Sequence, residues 1–67
     1  VDIADCVIFE DSKNGARSGV AALANTSGRG GVIQIIDQGD EAQYEPTAHA
    51  HARSKDELVA ACYKFIP

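Results

Sequence analysis

Basic residues, cysteines and long apolar runs are all scarce in this sequence of 67 residues. Six Lys and Arg stand against ten Asp and Glu, which gives a formal charge of −4. A general nucleic-acid binder carries a basic patch, so this balance argues against nucleic acid as a partner. Apolar runs such as those at 6–9 and 59–62 fall far short of the roughly 20 residues that span a bilayer. We therefore expect neither a nucleic-acid partner nor a membrane span.

The two cysteines cannot form a disulfide-dense scaffold. Cys6 lies in an apolar run and Cys62 lies in a helical pattern, so each is interpreted as a small buried hydrophobic residue. A single disulfide between them is the alternative. The first five residues carry two acids and no basic segment, so no signal peptide is visible. We expect a reducing, cytoplasmic location.

Apolar patterning predicts the order strand, helix, strand, helix. Two short runs rich in β-branched residues, 5–9 and 32–36, predict strands buried on both faces. Helical spacing predicts one helix over about 14–24, with Ser12 as its N-cap. The glycine within that helix, Gly19, predicts close packing against a neighbouring element. Residues 48–52 alternate small and polar side chains, which fits a very short strand or an extended stretch.

A capping box marks the last helix most clearly. Ser54 is the predicted N-cap, and Glu57 follows three residues later. Four apolar side chains then repeat at helical spacing: Leu58, Ala61, Cys62 and Phe65.

This order is a βαβα unit of the α/β class, as found within a doubly wound, Rossmann-like parallel sheet. Two apolar strands alone would leave faces and edges uncovered. We therefore interpret residues 1–67 as a single partial domain, completed by the remainder of the domain or by a second copy of the chain.

Acidic side chains follow the first predicted strand. Ligands of open α/β sheets bind outside the carboxyl ends of the strands, where Glu10 and Asp11 fall. Two carboxylates followed by Ser12 and Asn14 suit a hard cation such as Mg²⁺, which leaves room for a phosphate. The alternative is that Asp11 and Ser12 only cap the helix.

The segment from Val1 to Ala22 resembles the fourth motif of the haloacid dehalogenase-like (HAD) hydrolases, in their phosphatase and phosphoglucomutase-like branch. The specific part is an apolar strand, Phe-Glu-Asp-Ser, two residues and Gly15, before an Ala-rich helix. The second strand and the Ser-capped last helix resemble the rest of the family's C-terminal segment more loosely.

The resemblance implies a Mg²⁺-dependent hydrolase that acts on a phosphorylated small molecule through a phosphoaspartyl intermediate. It implies that Asp11 binds the metal and Glu10 binds or positions it. Ser12, Asn14 and Gly15 would hold the metal's water shell or shape the loop. The family's Asp-x-Asp-x-Thr nucleophile motif and its phosphate-binding Lys are absent from these residues. We therefore expect this chain alone to be catalytically inactive.

Three other features have simpler interpretations. His49 and His51 have a spacing seen in metal sites, but zinc takes three or four ligands and none follows nearby in sequence, so we interpret them as two solvated loop histidines. Residues 28–31 form a glycine-rich turn that follows a helix, the reverse of a phosphate-binding loop. The four acids within 37–45 fit a solvated loop, with weak Ca²⁺ binding as the alternative.

The leading hypothesis is thus the C-terminal segment of a HAD-like, Mg²⁺-dependent phosphatase or phosphotransferase. One rival is a small non-catalytic α/β module that associates through exposed sheet edges. The other is a weak acidic metal-binding protein.

Overall fold

Three parallel strands and two helices form the fold in the computed structural model, which describes residues 5–24, 26, 28 and 30–65. In chain order the elements are β1 (Val7–Glu10), α1 (Lys13–Leu23), β2 (Gly31–Ile35), β3 (Ala50–Ala52) and α2 (Lys55–Tyr63). A short 3₁₀ helix, Glu41–Gln43, lies between β2 and β3. The predicted order is confirmed, and the stretch at 48–52 contains a true strand.

The sheet has the order β1-β2-β3, with β2 in the centre and both pairings parallel. Gln34 of β2 stands opposite Glu10 on one side and His51 on the other. The α/β class is therefore confirmed at the level of a small three-stranded parallel sheet with two helices.

Serine side chains begin both helices, as predicted. The Ser12 hydroxyl accepts a hydrogen bond from the Gly15 N–H at 3.0 Å, and the Ser54 hydroxyl accepts one from the Glu57 N–H at 3.1 Å. The second half of the capping box differs, because the Glu57 carboxylate accepts from the Arg53 N–H at 2.8 Å. It thus satisfies the donor one residue before the cap.

Helix α1 packs on one face of β1 and β2. Four buried residues form the core of this face: Ala16, Leu23, Val32 and Ala48. Ile8 and Val20 pack against them. Gly19 is buried here, and a Cβ at this position would lie 2.9 Å from Val32 Cγ2, so the predicted close packing is confirmed.

Helix α2 packs on the opposite face, over β2 and β3. Its core contains Ile33, Ala50, Ala52 and Ala61, with Val7, Leu58, Cys62 and Phe65 packed against it. The apolar stripe predicted for this helix therefore faces the sheet. Small alanines on β3 let α2 lie close to the strand, which explains why β3 lacks the large apolar side chains of β2.

The prediction that β1 is buried on both faces is wrong. Val7 and Ile8 are half-buried, and Phe9 is 50% exposed. On this face Val7 packs against the cluster under α2, whereas Phe9, two residues further along the strand, is half-exposed. The strand also runs one residue further than predicted and includes Glu10. Only β2 has the burial expected of a central parallel strand.

Three remaining predictions concern the segments around these elements. Cys6 and Cys62 are not joined in a disulfide. The predicted glycine-rich turn at 28–31 lies partly outside the described residues. The first four residues of the segment that resembles the HAD motif lie wholly outside them. Neither described helix is long and apolar enough to cross a membrane.

We expect Gly19→Ala to destabilise the fold by about 1 kcal/mol. Inserting a methyl group into a packed core costs about 1–3 kcal/mol, whereas the better helix propensity of alanine returns roughly 1 kcal/mol. Val32 is fully buried and cannot easily move away. Urea unfolding provides the measurement, with Ser18→Ala on the exposed face of α1 as the control. Equal or greater stability of Gly19→Ala than of Ser18→Ala would contradict the packing described.

Candidate acidic metal-binding turn

The predicted site residues lie together at the carboxyl end of β1. Glu10 ends the strand, Asp11 follows it, and Ser12 caps α1; these three residues are called the acidic turn below. Asp11 and Asn14 are exposed, whereas Glu10 and Ser12 are half-buried. The predicted residues of the site therefore run from the last residue of β1 to the first turn of α1, which contains Asn14 and Gly15.

Glycine at position 15 allows the Glu10 carboxyl group to lie against the first turn of α1. A Cβ at this position would lie only 2.6 Å from Glu10 Cδ and 2.9 Å from Ser12 Oγ. The first turn of a helix carries partial positive charge, which favours a carboxylate there. Gly15 therefore leaves open the space that the Glu10 carboxyl group occupies, whereas Asp11 is exposed.

The chemistry of the acidic turn fits a hard cation in part. Carboxylate, hydroxyl and amide oxygens are the donors that Mg²⁺ accepts, and Mg²⁺ commonly uses one or two carboxylates with several waters. Among the residues that the structure describes, no three His, Cys, Asp or Glu side chains converge on one point. The turn thus offers two neighbouring carboxylates and no third.

A glutamine from a distant loop contacts the start of α1. The Lys13 N–H donates to Gln43 Oε1 at 3.0 Å across a separation of 30 residues. The first N–H groups of a helix have no partner within the helix, so this bond satisfies a donor that would otherwise need water. It brings the 3₁₀ helix Glu41–Gln43 next to the acidic turn.

Gln34 connects this loop to the sheet. Its side chain is fully buried within β2. Its Nε2 donates to the Gln43 carbonyl oxygen at 2.5 Å, and its Oε1 accepts from the Glu45 N–H at 2.7 Å. A buried amide without partners is costly, so the loop backbone supplies what the apolar strand cannot.

Glu45 is a second buried polar residue in the same loop. It accepts from Arg17 at 3.1 Å and from both the hydroxyl and the main-chain N–H of Thr47. The Arg17 side chain is 62% exposed and that of Glu45 only 3%. These hydrogen bonds, those from Thr47 first, hold the pKa of Glu45 below its usual value of 4.5, although burial opposes them.

Each histidine ring makes a hydrogen bond to a main-chain group of another segment. His49 Nδ1 accepts from the Val32 N–H at 2.9 Å, and His51 Nε2 donates to the Glu45 carbonyl oxygen at 2.8 Å. The His51 ring also stacks on Tyr44, with ring centroids 4.5 Å apart. The interpretation as two solvated loop histidines is therefore wrong for His51, which lies in β3 and is half-buried. His49 does lie exposed in the loop before β3, although its Nδ1 accepts from the main chain of β2.

The acids of the loop at 37–45 are not all solvated either. Arg53 makes a bidentate contact with Glu41, at 2.9–3.1 Å, and lies over the Tyr44 ring. The hydrogen bond from Arg53 lowers the pKa of Glu41. With Glu45 bound to Arg17 as well, two of the four acids are paired with arginines. The arrangement therefore gives no support to the Ca²⁺ alternative.

A shallow cleft of about 240 Å³ lies elsewhere on the carboxyl side of the sheet. It is lined by Ile35, Ile36, Asp37, Arg53, Ser54, Lys55 and Leu58. No residue of the acidic turn lines it.

Sequence reasoning found the acidic turn but missed the loop that contacts it. The Arg17–Glu45 pair joins residues 28 apart, and no local pattern indicates such a contact. One signal was available, since Gln34 is the only polar side chain in the run 32–36. A polar residue at the centre of a buried strand predicts a partner, although not which partner.

Comparisons with protein-family models, with curated proteins and with solved structures find no significant match to this chain.

We expect Thr47→Val to raise the pKa of Glu45, because it removes the hydroxyl donor and keeps the side-chain shape. A lowered pKa in the folded state means that Glu45 stabilises the fold fully above its unfolded pKa of about 4.5, and that this contribution is lost as the pH falls through the folded-state pKa. Thr47→Val should therefore show a smaller loss of stability in acid.

The titration is measured by NMR on the Glu45 side-chain carboxyl carbon, and stability by urea unfolding across the acid range. Thr26→Val is the matched control, since the Thr26 hydroxyl donates to the Leu23 carbonyl oxygen, away from Glu45. An unchanged Glu45 midpoint in Thr47→Val would show that the hydroxyl does not set this pKa.

Proposed function

We propose that this chain is the C-terminal segment of a Mg²⁺-dependent, HAD-like phosphohydrolase or phosphotransferase, and that the acidic turn is its contribution to the metal site. One observation carries the proposal. The Phe-Glu-Asp-Ser-x-x-Gly phrase occupies the carboxyl end of a parallel strand directly before a helix, with the Glu10 carboxyl group against Gly15. This is the place where open α/β sheets bind their ligands.

The unpaired edge of β1 and the exposed Phe9 side chain also support the proposal. Among the described residues β1 pairs only with β2, and Phe9 on its outer side is half-exposed. A further strand and helix, supplied by the rest of a doubly wound domain, would cover both. The nucleophile and the phosphate-binding Lys of the resembled family would come from that part, so this chain alone would not turn over a phosphoester.

The residues of the acidic turn, and Asn14 in the first turn of α1, have different proposed roles. Asp11 projects its carboxylate outward and would bind the cation directly. Glu10, held against α1, would bind or orient it from the side, while Ser12 keeps the turn closed by capping the helix. Asn14 would contact the water shell. When bound, Mg²⁺ supplies neutralisation of charge on a transferred phosphoryl group.

The same uncovered strand favours one alternative, a non-catalytic α/β module that associates through the β1 edge. Unpaired strand edges are templates for pairing with another chain. In that case the acidic turn would only cap α1, and Mg²⁺ would have no preferred site on the chain.

We expect titration of the chain with Mg²⁺, followed by NMR, to shift the amides of residues 10–15 most, with weak affinity because only two carboxylates are present. Loss of a residue that only supports a metal ligand weakens metal binding by roughly 10- to 100-fold. Since Asp11 is proposed to bind Mg²⁺ directly, Asp11→Asn should weaken Mg²⁺ binding by at least this factor. Asp40→Asn, an exposed acid in the other loop, is the matched control and should leave binding unchanged. Shifts concentrated at 37–45, or equal effects of the two variants, would contradict the proposed site.

A further inference from the structure

Two main-chain anchors hold the acidic turn, one at each end. At its start Glu10 belongs to β1, paired with Gln34 in the sheet. At its end the Lys13 N–H donates to Gln43 Oε1 at 3.0 Å. Asp11 lies between these anchors and is exposed. The position of its carboxylate therefore depends on how firmly the backbone on both sides is held.

The second anchor is itself fixed to the first. The Gln43 carbonyl oxygen accepts from Gln34 Nε2 at 2.5 Å, and Gln34 is fully buried in β2 directly opposite Glu10. The contacts therefore close a ring from Glu10 across the sheet to Gln34, then to Gln43, and back to α1 at Lys13. The acidic turn is the part of this ring in which the chain itself runs from Glu10 to Lys13.

The side chain of Gln43 makes the only link in this ring that a substitution can remove without loosening the rest. Its backbone carbonyl, rather than its side chain, binds Gln34, and Gln34 also binds the Glu45 N–H. Glu45 in turn binds Arg17 of α1. Removal of the Gln43 amide group therefore leaves the loop attached to the sheet and to α1, and frees only the Lys13 N–H.

We infer that Gln43 is a positioning residue for the acidic turn, which keeps the Asp11 and Glu10 carboxylates in one arrangement by holding the first N–H of α1. This inference rests on the proposed function for its role in cation binding. The hold on the backbone itself does not require a metal.

Gln43→Met tests the inference, because methionine has nearly the same length and no hydrogen-bonding amide. Gln38→Met, at an exposed glutamine before the 3₁₀ helix, is the matched control. Amide hydrogen exchange without metal should accelerate by about five- to tenfold at Lys13 in Gln43→Met and stay unchanged in Gln38→Met. Gln43→Glu keeps a side-chain oxygen acceptor and should retain the protection of Lys13.

The metal measurement separates positioning from simple stabilisation. At a temperature where all variants are fully folded, Mg²⁺ affinity read from the amides of residues 10–15 should fall by about three- to tenfold in Gln43→Met alone. Unchanged affinity despite faster exchange at Lys13 would overturn the positioning role. Unchanged exchange at Lys13 would overturn the anchor itself.

If the unaltered chain shows no Mg²⁺ response at these amides, the proposed function fails, and the exchange data still decide whether Gln43 holds the turn. If Gln43→Met does not fold, Gln43→Glu decides both points: the inference predicts protection of Lys13 and Mg²⁺ affinity no weaker than in the unaltered chain. Loss of either in the folded Gln43→Glu variant would overturn it.

Discussion

A single buried amide, the side chain of Gln34, sets the course of the chain after β2. The central strand is otherwise apolar and closed to water, so an unpaired amide there would cost about 1–3 kcal/mol for each unsatisfied group. The chain meets this demand by returning over the sheet and presenting the Gln43 carbonyl and the Glu45 N–H to the amide. The loop is therefore bound to the sheet by its backbone.

Several other contacts depend on that return. With its backbone bound at position 45, the loop places the Glu45 carboxylate beside Arg17 of α1 and the Glu45 carbonyl beside His51 of β3. It also places Gln43 at the first N–H of α1. The loop thus covers the part of the sheet that α1 leaves open on this face, and it does so with polar contacts. The two apolar clusters, one under each helix, complete the core.

The unequal cover of the two faces places the acidic turn at the open side of the molecule. Since α1 covers β1 and β2 while α2 covers β2 and β3, Phe9 on β1 is left half-exposed. The acidic turn at the end of this strand is connected to β2 by strand pairing and to the loop by the Gln43 hydrogen bond. On the side of β1 away from β2, no described strand lies beside it. This asymmetry suits a site whose remaining groups come from another part of a domain, as proposed here.

Local chemistry made the helices and the acidic turn predictable, whereas the contacts that hold the turn were not. Ser12 and Ser54 were predicted as caps because capping depends on a few adjacent residues. The burial of β1 was predicted wrongly, because apolar residues alone do not say whether a helix lies above them. The partners of Gln34 and Arg17 lie 9 to 28 residues away, and only the folded backbone brings them together.

The most direct test of this account is amide hydrogen exchange in Gln34→Leu, with Ile33→Val in the same strand as the control. Leucine fills the space but offers no hydrogen bonds, so the loop should detach while the helices and strands stay protected. Exchange should become faster at the Glu45 and Lys13 amides in Gln34→Leu alone. Unchanged protection of both amides would contradict the claim that the buried Gln34 side chain organises the loop and, through it, the acidic turn.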